Sequence, residues 1–206
     1  MTLPFFPLGL VAFPGQPLNL HIFEPRYRQL FSELDAGGGE FVVVPVIDSR
    51  LQPFATACRL VEVAKRYESG ELDVVCEGVR VVTVETFREV ETGKLYAGGE
   101  VSTLRTTLVS ADAEATERLL DRCRDLLQLL GAHRDLPDAH DEGVSYALGH
   151  WLGLKIHEEL ALLSMSTEDE RQRHLATLVE QRIDAAGDTM ELKRRAEMNG
   201  HFRYVK

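Results

Sequence analysis

The sequence predicts an α+β protein in which a β-rich first half precedes a helical second half. Up to about Thr107, short β-type runs alternate with breaks that contain Pro or Gly, whereas after Ser110 the spacing of apolar residues changes from two to 3.6. A chain of 206 residues suits one large domain or two small ones. We expect a β subdomain over residues 1–109, a helical bundle over 110–190 and a basic, aromatic tail over 191–206.

Several runs in the first half have the composition of β-strands. A Pro14-Gly15 turn signal separates the first two. The third is apolar on both faces, which is typical of a strand between two layers or inside a barrel. In the fifth, the apolar alternation slips at Gly78, as a β-bulge or a sharp bend would cause. The predicted strands cover residues 3–8, 18–22, 41–47, 56–66, 72–84 and 95–104.

One helix is expected inside the β half and another soon after it. Pro25 suits the first turn of a helix, and the glycines at 37–39 end that segment. After Ser110, apolar residues over 119–130 recur at helical spacing, and Gly131 closes the run. Both segments therefore have boundary residues whose backbone preferences favour the start or the end of a helix.

Three more helices are expected in the second half. Apolar residues repeat at helical spacing over 144–152, before Gly153, and a short helix over 156–163 follows. Thr167 and Glu170 have the spacing of a capping box at the start of the last helix. Short connections between these helices favour a compact bundle packed against the β part. The predicted buried face of the last helix comprises Leu175, Leu178, Val179 and Ile183.

The composition argues against nucleic acid and membrane as partners. The chain holds 23 Lys and Arg against 33 Asp and Glu, whereas nucleic-acid binding normally requires a basic surface. The longest strongly apolar run, 41–47, is much shorter than the roughly 20 residues that a membrane-spanning helix needs. The first residues lack the features of an export signal, and three cysteines without a C-x-x-C pair fit a reducing compartment. We therefore expect a cytoplasmic protein.

Three motifs near the start of the chain occur in a distinctive order. They are LPFFPLG at residues 3–9, FPG at 13–15 and LHIFEPRY at 20–27. In order and spacing they resemble the signature of the N-terminal, substrate-binding domain of Lon proteases, and the resemblance continues more loosely to about Ile183. It implies a PUA-like β pseudo-barrel with one helix, followed by a C-terminal helical bundle, which agrees with the periodicity.

The resemblance also implies a stand-alone, non-catalytic module. In Lon proteases this domain engages unfolded or damaged polypeptides, whereas ATP hydrolysis and peptide cleavage belong to later domains. The sequence has no G-x-x-x-x-G-K-[ST] phosphate loop, because Gly93-Lys94 is followed by Leu95. We expect no room for a motor or a Ser-Lys protease domain beyond Lys206, and hence no catalytic residue and no cofactor.

The signature supplies the candidate binding residues. Residues 9–17 hold apolar side chains without a charge, which either turn inward to plug the barrel end or form an exposed interaction patch. Glu24 and Arg26 offer a polar recognition pair. Alternatively, Glu24 complements the start of the helix and pairs with Arg28 one turn later. The candidate peptide-binding residues are Leu10, Val11, Phe13, Phe23, Arg26 and Tyr27.

Other groups of reactive side chains have a structural explanation. The loop at 132–143 lacks a helix-borne H-x-x-x-H pair, so we expect a solvated acidic loop and no metal centre, with a weak cation site left open. Cys76 and Cys123 are in phase with apolar neighbours, whereas the sequence leaves Cys58 undecided. Trp151 belongs to an apolar stripe, which favours a core position. The potential ligands in the loop are His133, Asp135, Asp138, His140, Asp141 and Glu142.

These features bear on three candidate functions. The first is a polypeptide-binding module that holds extended apolar segments in a groove between barrel and bundle or along an open strand edge. The second is a regulatory or scaffolding protein that contacts a partner protease or chaperone. The third, RNA binding through a PUA-like barrel, conflicts with the acidic charge. The tail at 191–206 either adds a strand to a sheet edge, in its own molecule or in a neighbouring copy, or frays.

Overall fold

Seven strands and five helices make up the part of the chain that the structure describes. This computed structural model describes residues 1–90 and 92–200, with side chains up to residue 188. The first half contains β1 (Thr2–Leu8), β2 (Pro17–Ile22), α1 (Pro25–Gly37), β3 (Glu40–Ile47), β4 (Arg50–Leu51), β5 (Phe54–Arg66), β6 (Leu72–Val84) and β7 (Gly98–Thr103). The second half contains α2 (Ala113–Leu130), α3 (Val144–Trp151), α4 (Ile156–Ser164) and α5 (Glu168–Gly200).

The strands form one barrel-like sheet. Neighbouring strands follow the order β1-β7-β6-β5-β3, and a parallel pairing between β1 and β3 brings the two ends of the sheet together. The other pairings are antiparallel. Strand β6 pairs with β5 along its length, so its other side is shared by β7, at residues 82–84, and β2, at residues 72–77. The predicted α+β class, with a barrel-like sheet before a helical region, is confirmed.

Strand β3 separates two apolar clusters, which explains why its sequence is apolar on both faces. Phe41 and Val43 belong to a cluster that includes the buried face of α1. Val42 and Val44 point to the opposite face and belong to a second cluster with residues of β1, β5 and β6. Because side chains alternate along a strand, consecutive residues of β3 serve both clusters.

The predicted irregularity at Gly78 is present as a β-bulge. The pairing of β5 with β6 passes from Ala57–Arg80 to Cys58–Gly78, so Val79 is the extra residue. A Cβ atom on Gly78 would lie 2.1 Å from the carbonyl oxygen of Phe13. Glycine is therefore required here because the loop before β2 approaches the backbone of β6 closely.

Strand β7 begins later than its sequence predicts. The predicted strand covers 95–104, but pairing starts at Gly98. The residues before Gly98 bond to α1 instead: Lys94 Nζ and the Tyr96 hydroxyl both donate to Glu33, at 2.8 and 2.6 Å. These side-chain bonds hold the segment against the helix, while one residue of it, Ala97, also bonds to a strand, because its carbonyl oxygen accepts from the N–H of Phe5 at 2.8 Å.

The helices of the second half share one apolar core. Most of the predicted stripes of α2 and α3 are buried or half-buried, but the last residue of the α2 stripe, Leu130, is 61% exposed. Gly131 ends α2 in the left-handed conformation. The capping box at the start of α5 is formed, because the backbone N–H of Glu170 donates to Thr167 Oγ1 at 3.2 Å and that of Thr167 donates to Glu170 at 3.3 Å. Trp151 is half-buried against this core.

The loop before β2 joins the sheet to the helices. Val11 and Phe13 belong to the same buried cluster as the apolar faces of α2 to α5. The ring of Phe13 stacks on Tyr146 of α3, and the guanidinium of Arg171 lies 4.2 Å from the centre of the Tyr146 ring. Arg171 is fully buried and pairs with Glu168 at 2.7 Å. A buried ion pair needs further partners, because a buried charge without them costs several kcal/mol. They are supplied by Thr107, Ser145, Met165 and Gln172.

Helix α5 continues beyond the predicted end of the bundle at residue 190. It extends to Gly200, so the first part of the predicted tail is helical. Residues 201–206, which include the tail's two aromatic side chains, lie outside the described residues. In the part of the chain that the structure describes, no helix is both long and apolar enough to cross a bilayer.

Candidate functional site

The candidate residues of the signature divide into a buried and an exposed group. Val11, Phe13 and Tyr27 are only 8%, 2% and 5% exposed, so the loop at residues 9–17 turns its apolar side chains inward. Phe23 is 59% exposed, whereas Leu10 is half-buried. Val11 and Phe13 pack in the core of the helices and Tyr27 packs in the cluster beside α1, so of the six candidates only Leu10, Phe23 and Arg26 retain substantial exposed surface.

Glu24 pairs with Arg26 and not with Arg28. Arg26 Nε and Nη2 both donate to Glu24 Oε2 at 2.8 Å, and the Arg26 guanidinium lies 4.5 Å from the centre of the Tyr27 ring. The Arg28 guanidinium lies over Gly70 in the turn between β5 and β6. The expected Glu24–Arg28 pair is therefore wrong, because Glu24 has an extended backbone just outside α1 and the β5–β6 turn offers Arg28 a closer surface.

Strand β2 has one open edge. Among the described residues, β6 is the only strand that pairs with it. The backbone N–H of Gly78 donates to the carbonyl oxygen of Gln16 at 3.2 Å, which sets the phase of the antiparallel ladder. In an antiparallel ladder, hydrogen-bonded pairs alternate with pairs that are not hydrogen-bonded. Leu18, Leu20 and Ile22 are therefore the residues of β2 that form hydrogen-bonded pairs with β6.

The intervening residues of β2 direct their backbone groups away from β6. Asn19 and His21 thus present their backbone N–H and C=O groups at the open edge, and no described strand forms hydrogen bonds with these groups. The backbone nitrogen of Pro17 also points away from β6, so the absence of an N–H at this proline removes no hydrogen bond to β6. The open edge therefore offers two donors and their neighbouring acceptors to an incoming strand.

Polar and aromatic contacts fix the His21 end of the edge. His21 Nδ1 lies 2.7 Å from Asp73 Oδ1, and the Tyr67 hydroxyl donates to Asp73 Oδ2 at 2.7 Å. These hydrogen bonds, that of His21 first, lower the pKa of Asp73 below its ordinary value. The His21 ring also stacks on Phe23, with centroids 6.2 Å apart. Phe23 therefore lies next to the edge with most of its ring in solvent.

A cleft opens at the other end of β2, between the sheet and the helices. Its volume is about 240 Å³. Gly78 and Val79 of β6 line one side, and Leu108 and Gly143 line the other. The Pro14-Gly15 turn that leads into β2 also lines the cleft.

A larger groove lies between α2 and α5, and no residue of the signature lines it. It has a volume of about 600 Å³, within the range of small-molecule sites, and Ala115, Leu119 and Ala176 contribute apolar lining. Arg122 on α2 and Glu180 on α5 pair at 2.6 Å next to it. Sequence reasoning missed this groove, because small residues on two helix faces indicate a gap only once the helices are known to be neighbours.

The cysteines are placed as core residues. Cys58, Cys76 and Cys123 are free and buried, and burial raises the pKa of each thiol to about 12. This resolves the position of Cys58, which the sequence left open. In the described part of the chain, no group of three or more His, Cys, Asp or Glu side chains has an arrangement that could hold a metal ion.

Comparison with known proteins decides the family. Residues 2–181 match the family described as the ATP-dependent protease La (LON) substrate-binding domain. The chain belongs to this family. No curated protein matches the sequence. The family is thus one of substrate-binding domains, and the Lon N-terminal domain is not itself catalytic.

Two solved structures of Lon N-terminal domains are similar to this chain. The crystal structure of a Lon N-terminal domain protein from Xanthomonas campestris is 24% identical, with a TM-score of 0.63. The N-terminal domain of the Mycobacterium avium complex Lon protease is 16% identical, with a TM-score of 0.64. Both alignments cover 87% of this chain and 98% of the other. At these identities the likeness concerns the fold alone, and it confirms the Lon-type architecture predicted from the signature.

Proposed function

We propose that this Lon substrate-binding domain binds extended polypeptide segments, without catalysing a reaction, by adding them as a strand to the open edge of β2. The observation that carries the proposal is the outward direction of the backbone groups of Asn19 and His21, which no described strand pairs. An unpaired edge is a template for a further strand, and several peptide-binding domains hold their ligands in this way.

The side chains at the two ends of β2 support the proposal. Phe23 and Arg26 lie beyond the Ile22 end with exposed surface, and Leu10 is half-buried in the loop before the strand. At the Pro17 end, the cleft leaves room for the side chains of a longer segment. The contact residues that we propose are therefore Leu10, Asn19, His21, Phe23 and Arg26.

The expected affinity is low. Each backbone hydrogen bond contributes about 0.5–1.5 kcal/mol net, and the edge offers only a few of them. Ordering a disordered segment costs about 2–5 kcal/mol of the gross interaction energy. Binding therefore depends on added side-chain burial and falls in the micromolar to millimolar range, with a loose sequence preference.

A substitution at Asn19 tests the proposal. Asn19→Pro removes one outward N–H and leaves the bonds between β2 and β6 intact, because this N–H does not face β6. We expect Asn19→Pro to weaken binding of a labelled, permanently unfolded polypeptide about tenfold, measured by fluorescence anisotropy. Unchanged binding by a correctly folded Asn19→Pro variant would contradict the proposal.

Two controls separate edge pairing from other effects. Asn19→Ala keeps the backbone N–H and changes only the side chain, so we expect binding within about twofold of the unsubstituted protein. Leu20→Pro instead removes an inward bond to β6, and we expect it to destabilise the fold. Circular dichroism checks that Asn19→Pro retains its secondary structure. We expect it to do so, because Pro17 already occupies a position of β2 whose backbone nitrogen points away from β6.

The net charge and the buried cysteines also bear on the proposed partners and location. The ligands are unfolded or extended polypeptides, and the net charge of −10 argues against nucleic acid. Buried, free cysteines fit a cytoplasmic location, where thiols stay reduced. Self-association through the tail at 191–206 also remains a proposal.

A second candidate function is a regulatory or scaffolding contact with a protease or chaperone. The groove between α2 and α5 favours it, because this groove is larger than the cleft and is lined by no residue of β2. Ala176→Arg would obstruct the groove. If Ala176→Arg no longer captures a partner protein but still binds peptide, the second function is supported. If Asn19→Pro no longer binds peptide, the first function is supported.

A further inference from the structure

We infer that the segments preferred at the open edge of β2 are β-amphipathic, with apolar residues at every second position; this inference rests on the proposed function. Burial alternates along β2: Leu18 and Leu20 are half-buried, Ile22 is buried, and Asn19 and His21 are exposed. A strand added next to β2 continues this alternation, because successive side chains in a sheet point to opposite faces.

The inner face beside β2 is the incompletely covered border of an apolar cluster. Leu18 and Leu20 pack against the cluster that includes the buried face of α1, and Leu10 does so from the preceding loop. On the neighbouring strand β6, Val74 and Cys76 of the same cluster are almost fully buried. Burial therefore falls from β6 to β2, and apolar side chains on the next strand would extend the cover over the two leucines.

The outer face of the same edge is polar. Asp73 bonds both His21 and Tyr67, and the Glu71 carboxylate lies 3.8 Å from His21 Nε2. An apolar side chain here would gain little burial and would shield these groups from water, which is unfavourable for polar groups. The outward positions of a bound segment therefore favour polar residues.

The two faces together favour a particular order of apolar and polar residues in the bound segment, and not merely a high content of apolar residues. An extended segment with alternating apolar residues places all of them beside Leu18 and Leu20. A segment of the same composition with its apolar residues in adjacent pairs divides them between the two faces, so about half of them meet the polar side. The length of β2, from Pro17 to Ile22, limits the selected stretch to about six residues.

Two labelled peptides of about nine residues and identical composition test this inference. In the first, Val alternates with Gln and Lys; in the second, Val occurs in adjacent pairs. We expect the alternating peptide to bind at least about tenfold more tightly, in anisotropy titrations below the concentration at which either peptide self-associates. Leu20→Ser should reduce this preference, because it removes apolar surface from the inner face, whereas Leu130→Ser, at an exposed leucine of α2 outside the proposed site, should leave it unchanged.

The outcomes separate this inference from the proposed function. Tighter binding of the alternating peptide, lost in Asn19→Pro, supports both. Equal binding of the two peptides, still lost in Asn19→Pro, overturns the pattern preference and leaves strand addition standing. Binding of neither peptide, together with no binding of the permanently unfolded polypeptide, overturns both.

Discussion

The ring of Phe13 stacks on the ring of Tyr146, with centroids 5.4 Å apart and planes inclined by 22°. Phe13 belongs to the loop that leads into β2, whereas Tyr146 belongs to α3 and also contacts the buried Arg171 of α5. The loop that shapes one end of the candidate site is therefore anchored in the core of the helices. This relationship links the stability of the site to the packing between the two halves of the chain.

Replacing Phe13 should destabilise both halves together. Phe13→Ala removes a ring that is 2% exposed, and we expect it to lower the free energy of unfolding by about 3–5 kcal/mol. Urea unfolding followed by Trp151 fluorescence and by circular dichroism measures the loss. Phe23→Ala is the matched control; its ring is 59% exposed, so its effect should stay within about 0.5 kcal/mol. Equal losses for the two variants would contradict the anchoring role of Phe13.

Gly78 should tolerate no side chain. In Gly78→Ala the new methyl group would lie 2.1 Å from the carbonyl oxygen of Phe13, so the loop must move away from β6. We expect a loss of about 1–3 kcal/mol in unfolding free energy and weaker peptide binding at β2. Gly9→Ala is the control, because a Cβ there has no neighbour within 4 Å. A Gly78→Ala variant as stable as Gly9→Ala would show that the close approach is not required.

Local patterns predicted much of the fold. The bulge at Gly78, the capping box at Thr167 and the burial of β3 on both faces follow from features within a few residues of each position. The short strand β4 was missed, because two residues are too few for a periodic pattern. The end of α5 was also missed, because its apolar stripe fades after Ile183 while the helix continues.

The candidate site was less predictable, because its geometry depends on contacts between distant residues. Which edge of β2 stays open depends on its pairing with β6, whose residues lie 50 to 60 positions later along the chain. The sequence indicated Leu10, Val11 and Phe13 as one apolar group, yet only the sheet-to-helix packing decides that Val11 and Phe13 turn inward. The proposed role of Asn19 and His21 gave no local signal, because it depends on the direction of their backbone groups.

The three thiols should be inert in the folded protein. Burial raises the pKa of Cys58, Cys76 and Cys123 to about 12, so the reactive thiolate is disfavoured at about pH 8, and burial also blocks access to the sulfur atoms. We expect no fast reaction with a thiol-specific chromogenic reagent under native conditions and reaction of all three after unfolding in guanidinium chloride. Fast native labelling of any one of them would contradict the described core.

Glu33 should make stability depend on pH in the acid range. Hydrogen bonds from Lys94 and Tyr96 lower the pKa of Glu33 below its ordinary 4.5. The folded state therefore favours the carboxylate; this stabilisation is present above pH 4.5 and is lost as the pH falls through the lowered folded value. We expect Glu33→Gln to be less stable than the unsubstituted protein at about pH 7, with the difference shrinking at about pH 3. Urea unfolding at both pH values measures it, and a difference of equal size at both would contradict the assignment.

Amide hydrogen exchange at β2 tests strand addition most directly. In the free protein the N–H groups of Asn19 and His21 face solvent, whereas those of Leu18 and Leu20 bond to β6. With saturating unfolded peptide, we expect exchange at Asn19 and His21 to slow by at least about tenfold, while protection at Leu18 and Leu20 changes little. Unchanged exchange at Asn19 and His21 under saturation would contradict binding at this edge.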